Sequence, residues 1–209
     1  KNQVIVKGPA ENFKWHPNLA MTRLKSLHSG QTDHMIEAMG LQEGFQVLDC
    51  TLGLGADALV VAYGVGATGH VTGLESSPVI AFITRWGLQN YQGENKNIKT
   101  LTERITVINC LYQDYLQSLP DNSYDVVYFD PMFRQAIDKS SGIKGLRTWA
   151  NSEPLSKEAL AEACRVARSR VVFKERSNSP EFARLGAQKI VGGKYSPLAY
   201  GIWFASAAK

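Results

Sequence analysis

Val47-Leu48-Asp49-Cys50-Thr51-Leu52-Gly53-Leu54-Gly55-Ala56-Asp57 is the stretch whose reading decides the fold. A short apolar run with Phe45, Val47 and Leu48 ends in a carboxylate, two glycines follow two apart, and a helical stretch begins at Ala58. Glycine belongs in such a turn because a ligand can approach the backbone more closely than a side chain permits, and because the turn can take positive φ. Gly-x-Gly alone also marks ordinary turns, so the flanking sequence has to choose.

Downstream, apolar strands and helices alternate, the pattern of a parallel sheet with helices on both faces. The spacing predicts strands over 45–50, 70–75, 105–110, 124–129 and 170–173. It predicts helices from 57 to about 63, from Pro78 onward with Ser76 or Ser77 as cap, and over 155–167. Segments 188–191 and 198–204 read as a closing antiparallel hairpin. Upstream, Val4-Ile5-Val6 predicts a short edge strand. Residues 23–27 and 32–39 read as helices, the second capped by Thr32 or Asp33 and stopped by Gly40. Residues 1–41 are therefore expected to be an N-terminal extension covering the sheet, with the main domain over 42–209.

Composition narrows the class. A chain of 209 residues, 44% hydrophobic and 20% charged, suits one α/β-sized domain with a proper core. No apolar run approaches the roughly 20 residues of a membrane-spanning helix, and the opening residues carry no signal-peptide pattern. The start at Lys1 without a Met implies residues trimmed ahead of it. Cys50, Cys110 and Cys164, odd in number and in apolar surroundings, read as reduced, buried thiols of a cytoplasmic protein. His16, His28, His34 and His70 have no ligand spacing, so no metal is expected. The net charge is +4, yet residues 134–176 hold ten Lys or Arg against five Asp or Glu. That local +5 suits a polyanion such as RNA, with Arg134, Lys139, Lys144, Arg147, Lys174 and Arg176 as candidate contacts; a solvated helical face is the plainer alternative.

Four acidic features fall where an open α/β sheet places function, at the carboxyl ends of successive strands. They are Asp49 with the glycine turn, Glu75, Asp114, and Asp130 in Asp130-Pro131-Met132-Phe133. Glu75, twenty residues after Gly55, suits the two hydroxyls of a ribose. The loop also satisfies the Gly-x-Gly-x-x-Ala dinucleotide fingerprint, so an NAD(P)-dependent oxidoreductase has to be weighed. A pyrophosphate prefers helix N-terminal amides free of nearby anions, whereas this loop is flanked by Asp49 and Asp57. S-adenosylmethionine carries a sulfonium and an ammonium and no phosphate, and carboxylates suit it better. Asp130 and the carbonyl of Pro131 can accept the two N–H bonds of an exocyclic base amine while Phe133 stacks on the base. A non-catalytic RNA-binding module that keeps the nucleotide pocket is the remaining alternative.

These motifs, with Gly73-Leu74-Glu75-Ser76-Ser77-Pro78-Val79 and Val127-Tyr128-Phe129-Asp130-Pro131-Met132-Phe133, resemble the class I S-adenosylmethionine-dependent methyltransferases. The closer resemblance is to the RsmJ-type enzymes that methylate a guanine exocyclic amine of small-subunit ribosomal RNA. It covers roughly residues 42–176. It implies a Rossmann-like, mostly parallel seven-stranded sheet with a C-terminal antiparallel hairpin, and direct methyl transfer that needs no metal. It also implies donor contacts from Ala56, Asp57, Glu75, Ser76, Asp114, Tyr115 and Asp130; Asp49, Gly53 and Gly55 of the glycine turn complete the expected cofactor site, with Asp130, Pro131 and Phe133 expected to serve the reaction. Ala56 and Ser76 stand where arginines are usual in that family. The N-terminal part, with Trp15-His16-Pro17-Asn18 and Arg23-Leu24-Lys25, resembles a less characterised branch of the same methyltransferases.

Overall fold

A computed structural model of the chain describes residues 4–7, 12–93, 96–131, 153–193 and 196–205. The chain opens with a two-stranded antiparallel ribbon, β1 (Val6–Lys7) and β2 (Asn12–Phe13), followed by helices α1 (Asn18–His28) and α2 (His34–Met39). The main run is β3 (Gln46–Asp49), α3 (Ala56–Gly64), β4 (His70–Glu75), α4 (Pro78–Gln89), α5 (Lys96–Thr102), β5 (Ile105–Asn109), α6 (Tyr112–Ser118) and β6 (Tyr124–Phe129). After an interval outside the described residues come α7 (Lys157–Val166), β7 (Ala167–Arg176), α8 (Glu181–Arg184), β8 (Lys189–Val191) and β9 (Leu198–Phe204).

Seven strands form one sheet in the order β5-β4-β3-β6-β7-β9-β8. The first five are mutually parallel, and β9 runs antiparallel to both β7 and β8. This is the expected α/β architecture, with the hairpin joined to the sheet through its second strand. From β3 the chain steps outward to β5 and then returns to β6 on the other side of β3. That reversal opens a crevice above the carboxyl ends of β3 and β6, the place where an open sheet accepts a ligand.

The central strands β3, β4 and β6 are buried on both faces, which explains their continuous apolar runs, whereas β5 and β8 at the edges keep exposed positions. One face carries Met35, Met39, Leu59 and Val61 of the helices over Val47, Val71 and Val172. The other packs Leu160, Ala163 and Phe182 over Leu48, Val127, Phe129 and Phe173. Cap chemistry sets the helix ends. Asp33 accepts from the N–H groups of Met35 and Ile36, Gly40 closes α2 in the left-handed region at φ 56°, and Ser77 accepts from Ile80 N–H ahead of Pro78. Among the described residues no helix is long and apolar enough to cross a membrane.

The structure departs from the sequence reading in particulars. Helix α1 extends far beyond 23–27, and β7 follows α7 without a loop, so Ala167 pairs with Tyr124 as strand where a helix end was predicted. Helices α5, α6 and α8 span seven, seven and four residues, too few turns to establish a hydrophobic period. The cysteines are free, but only Cys50 is buried; Cys110 and Cys164 are partly exposed.

The segment ahead of β3 lies over the glycine turn. Trp15 Nε1–H donates to the Leu54 carbonyl at 2.9 Å, and its indole sits on Gly87 of α4. A Cβ at Gly87 would stand 2.2 Å from the ring, so only glycine admits this approach.

Candidate active site

The end of β3 is tied to both neighbouring strands: Cys50 N–H donates to Tyr128 O and Leu52 N–H to Leu74 O, each at 2.9 Å. The turn that follows holds Gly53 at φ 52° and Gly55 at φ 75°, conformations that L side chains rarely adopt. A Cβ on Gly53 would face open space, coming no nearer than 4.0 Å to the Thr51 carbonyl oxygen, so the backbone is accessible on that side. Ala56 and Asp57 begin α3 directly behind Gly55.

Glu75 ends β4 only 8% exposed. Its carboxylate accepts from Ser77 N–H at 2.8 Å and from Gly53 N–H at 3.1 Å, which clamps the glycine turn to the start of α4. Burial raises its pKa against those hydrogen bonds. Thr84 Oγ1–H donates to Gly53 O at 2.8 Å, and Asn109 Nδ2 donates to the carbonyls of Glu75 and Ser76 at 2.7 and 3.1 Å. Asp49 is buried and accepts from Thr51 N–H at 3.0 Å; loss of solvent pushes its carboxyl up to about 8.

Beside this turn lies a cluster of charges from four elements. Lys174 Nζ of β7 donates to Asp130 Oδ2 at 2.7 Å and to Asp57 Oδ2 at 2.9 Å. Tyr128 O–H donates to the same Asp57 oxygen at 2.7 Å, and Arg23 of α1 pairs with Asp57 Oδ1. Arg23 is held in turn by Asp33 at 2.8 and 2.9 Å. Burial opposes the charge on Asp57, but Lys174 and Arg23 keep its carboxyl well below the usual range. Burial raises Asp130 to about 6, Lys174 opposing this and the nearby Asp57 charge adding to it. Burial works against the Lys174 ammonium, and Asp57 and Asp130 outweigh it to hold its pKa well above the ordinary value. The two acids are thus driven apart, one held below the usual carboxylate range and the other above it.

The structure therefore brings Asp49, Gly53, Gly55, Ala56, Asp57, Glu75, Ser76, Asp130 and Pro131 to one end of the sheet. Tyr115 is not among them. Its hydroxyl lies 3.3 Å from that of Tyr124, at the amino end of β6 and opposite Asp130, because α6 runs back along the sheet. Asp114 is exposed in the first turn of α6. Lys174, expected among the RNA contacts, is an interior ion-pair partner with 13% of its side chain exposed. Arg176 lies partly exposed at the end of β7. Phe133, Arg134, Lys139, Lys144 and Arg147 lie outside the described residues.

Sequence reasoning missed Arg23, Thr84, Asn109 and Tyr128. One signal was available for Lys174: it directly follows the apolar run Val171-Val172-Phe173 in a strand that ends beside the candidate site.

A family model described as "Putative SAM-dependent methyltransferase" matches residues 14–196. The Bacillus subtilis protein named "Uncharacterized protein YpiP" is 42% identical over 174 residues, which cover 83% of this chain and 68% of that one. Ribosomal RNA small subunit methyltransferase J of Cronobacter sakazakii is 32% identical over 166 residues, covering 77% of this chain and 65% of its own. The matched region thus spans about two thirds of the length of these relatives. Among solved structures, a SAM-dependent methyltransferase from Neisseria gonorrhoeae is similar with a TM-score of 0.70 at 19% identity, over 99% of this chain and 81% of that one. A SAM-dependent methyltransferase from Aquifex aeolicus has a TM-score of 0.53 at 18% identity, over 90% and 99% of the two chains. These two likenesses concern the fold. The matched family model takes in the Trp15 cover, the glycine turn, Glu75 and Asp130, and on that ground the chain belongs to the SAM-dependent methyltransferases, with S-adenosylmethionine as its methyl donor.

Proposed function

We propose that the protein methylates the exocyclic amine of a guanine in small-subunit ribosomal RNA. The observation that carries this reading is Asp130. Its side chain is a quarter exposed at the mouth of the crevice, held at 2.7 Å by Lys174, while its own N–H donates to Thr51 Oγ1 of the glycine turn at 2.6 Å. The residue that would meet the acceptor is thereby tied to the loop that would hold the donor. The methyltransferase J relatives, whose name specifies small-subunit ribosomal RNA, support the substrate class.

The turn suits the donor chemically. The open side of Gly53 admits a ligand to the backbone, and the Glu75 carboxylate, which accepts from Gly53 and Ser77 N–H, lies beside that turn. Glu75 would take the ribose hydroxyls, with Ser76 beside it and Asp49 and the backbone of Gly55 and Ala56 completing the cradle. Asp57, whose carboxylate is engaged by Arg23, Tyr128 and Lys174, would act from beneath the turn. When bound, S-adenosylmethionine would supply an electrophilic methyl: the acceptor nitrogen's lone pair would form the new N–C bond as the C–S electron pair returns to sulfur, and the nitrogen's proton would pass to solvent.

A base amine is a weak nucleophile because its lone pair is delocalised into the ring. Asp130 and the Pro131 carbonyl would accept its two N–H bonds, orient the nitrogen and favour the charge that develops on it. Phe133 would be the stacking platform. Arg134, Lys139, Lys144, Arg147 and Arg176 would hold phosphates.

The test is incubation of purified protein with methyl-labelled donor and small ribosomal subunits, followed by nucleoside mass spectrometry. N2-methylguanosine is expected; label in another nucleoside, or none in RNA, would discard the guanine reading. Replacing Glu75 by Ala should weaken donor binding by about 1 to 3 kcal/mol in calorimetry, since it removes hydrogen bonds to a desolvated group. An unchanged affinity would take Glu75 out of the donor site.

A further inference from the structure

We propose that Lys174 is a positioning residue for the methyl transfer, holding the Asp130 carboxylate toward the acceptor while Asp57, itself anchored by Arg23 and Tyr128, holds Lys174 from behind. The inference rests on the reading of Asp130 as the group that meets the acceptor amine. Nothing in the sequence motifs assigns Lys174 this part.

A lysine has a flexible stem and a strongly hydrated head, so burying it is costly unless its donors are satisfied. Here Nζ lies 2.7 Å from Asp130 and 2.9 Å from Asp57, with the side chain only 13% exposed. One carboxylate would balance the charge. The second, Asp57, is already paired with Arg23 and takes the Tyr128 hydroxyl at 2.7 Å, so it forms a rigid back wall. Lys174 lies opposite Tyr200 of β9 in the strand register, which places it in the interior of the sheet. Asp130 thus ends the chain Asp33, Arg23, Asp57, Lys174, Asp130 on the side of the crevice.

This arrangement has a chemical consequence. Among the described residues, Asp57 of α3, Lys174 of β7, Asp49 of β3 and Tyr128 of β6 act on Asp130, while Arg23 of α1 and Tyr200 of β9 act on Asp57 behind them. Burial and the Asp57 charge both disfavour the ionised form of Asp130, and among the described residues Lys174 is the cation in direct contact that favours it. An ionised carboxylate is acceptor-only and can receive the amine N–H. A protonated one would present an O–H in that direction. Lys174 therefore keeps Asp130 an acceptor at neutral pH and aims it.

The experiment compares Lys174→Met and Lys174→Arg with the wild type by two readouts. One is the carboxyl titration of Asp130 by NMR in carbon-13 aspartate-labelled protein, assigned with Asp130→Asn. The other is the pH profile of single-turnover methylation of small ribosomal subunits. In Lys174→Met the Asp130 midpoint and the acidic limb of the rate should both move up by about one pH unit or more, as expected for removing an opposite charge in contact. The rate at pH 7 should fall about twofold or more, with donor affinity nearly unchanged, and Lys174→Arg should restore both positions. A midpoint or a rate limb that stays at its wild-type position overturns the proposal. If Lys174→Met does not fold, Lys174→Gln serves: it keeps a neutral donor beside Asp130 and Asp57 while removing the charge, and an Asp130 midpoint that does not move up overturns the proposal. A shifted titration without any RNA methylation by the wild type upholds the hold on Asp130 and removes the guanine reading instead.

Discussion

Asp130→Asn should leave the fold intact and lower turnover by about a hundred- to a thousandfold, the usual loss when one preorganised electrostatic contact, roughly 2.7 to 4 kcal/mol, is removed from a transition state. The fold should survive because the backbone N–H of Asp130 still reaches Thr51 Oγ1 at 2.6 Å, and because Asn preserves the size of the side chain. The charge it removes is one that burial and Asp57 already disfavour. What disappears is the acceptor: the amide presents N–H donors or a weaker carbonyl, and Lys174 loses its ionised outer partner. Single-turnover methylation beside a donor-binding measurement separates the outcomes. Near-normal turnover would make the Asp-Pro turn merely structural, and early loss of donor affinity would move Asp130 to the donor side of the site.

The second large effect concerns stability. Asp57→Ala should cost about 3 to 5 kcal/mol in denaturant unfolding, because it leaves cations in the interior without the carboxylate they share. Both Arg23 and Lys174 lose a contact, and the Tyr128 hydroxyl loses its acceptor. Tyr128→Phe, which removes a single hydrogen bond to a charged group while keeping the ring packed, should cost less, on the order of 1.5 to 3 kcal/mol. Combining Asp57→Ala with Lys174→Met should recover part of the loss, since one of the stranded charges goes too. A loss under about 1 kcal/mol for Asp57→Ala would mean that Arg23 and Lys174 reach water or other partners, and that the cluster does not brace the site.

The sequence by itself determined the class of fold and the end of the sheet that carries the candidate site. Alternating apolar runs and capped helices encode strand and helix through local periodicity, and Asp49, Glu75 and Asp130 each follow such a run, so their place at the carboxyl ends is a local property. The glycine turn was legible for the same reason, since positive φ at Gly53 and Gly55 is a demand of the chain on itself. The charge cluster was not. Lys174 meets Asp57 and Asp130 across 117 and 44 residues, and Arg23 meets Asp57 across 34, so no window of sequence contains the pairs. Charge counting put Lys174 on the surface because lysine is usually solvated; strand β7, wedged between β6 and β9, put it inside. The place of the Tyr115 side chain was illegible for a related reason: α6 was too short to be recognised, so the direction in which it turns that hydroxyl toward Tyr124 was set only by packing against β6. Periodicity tells which face of an element is apolar, and only the assembled fold tells which buried charges face one another.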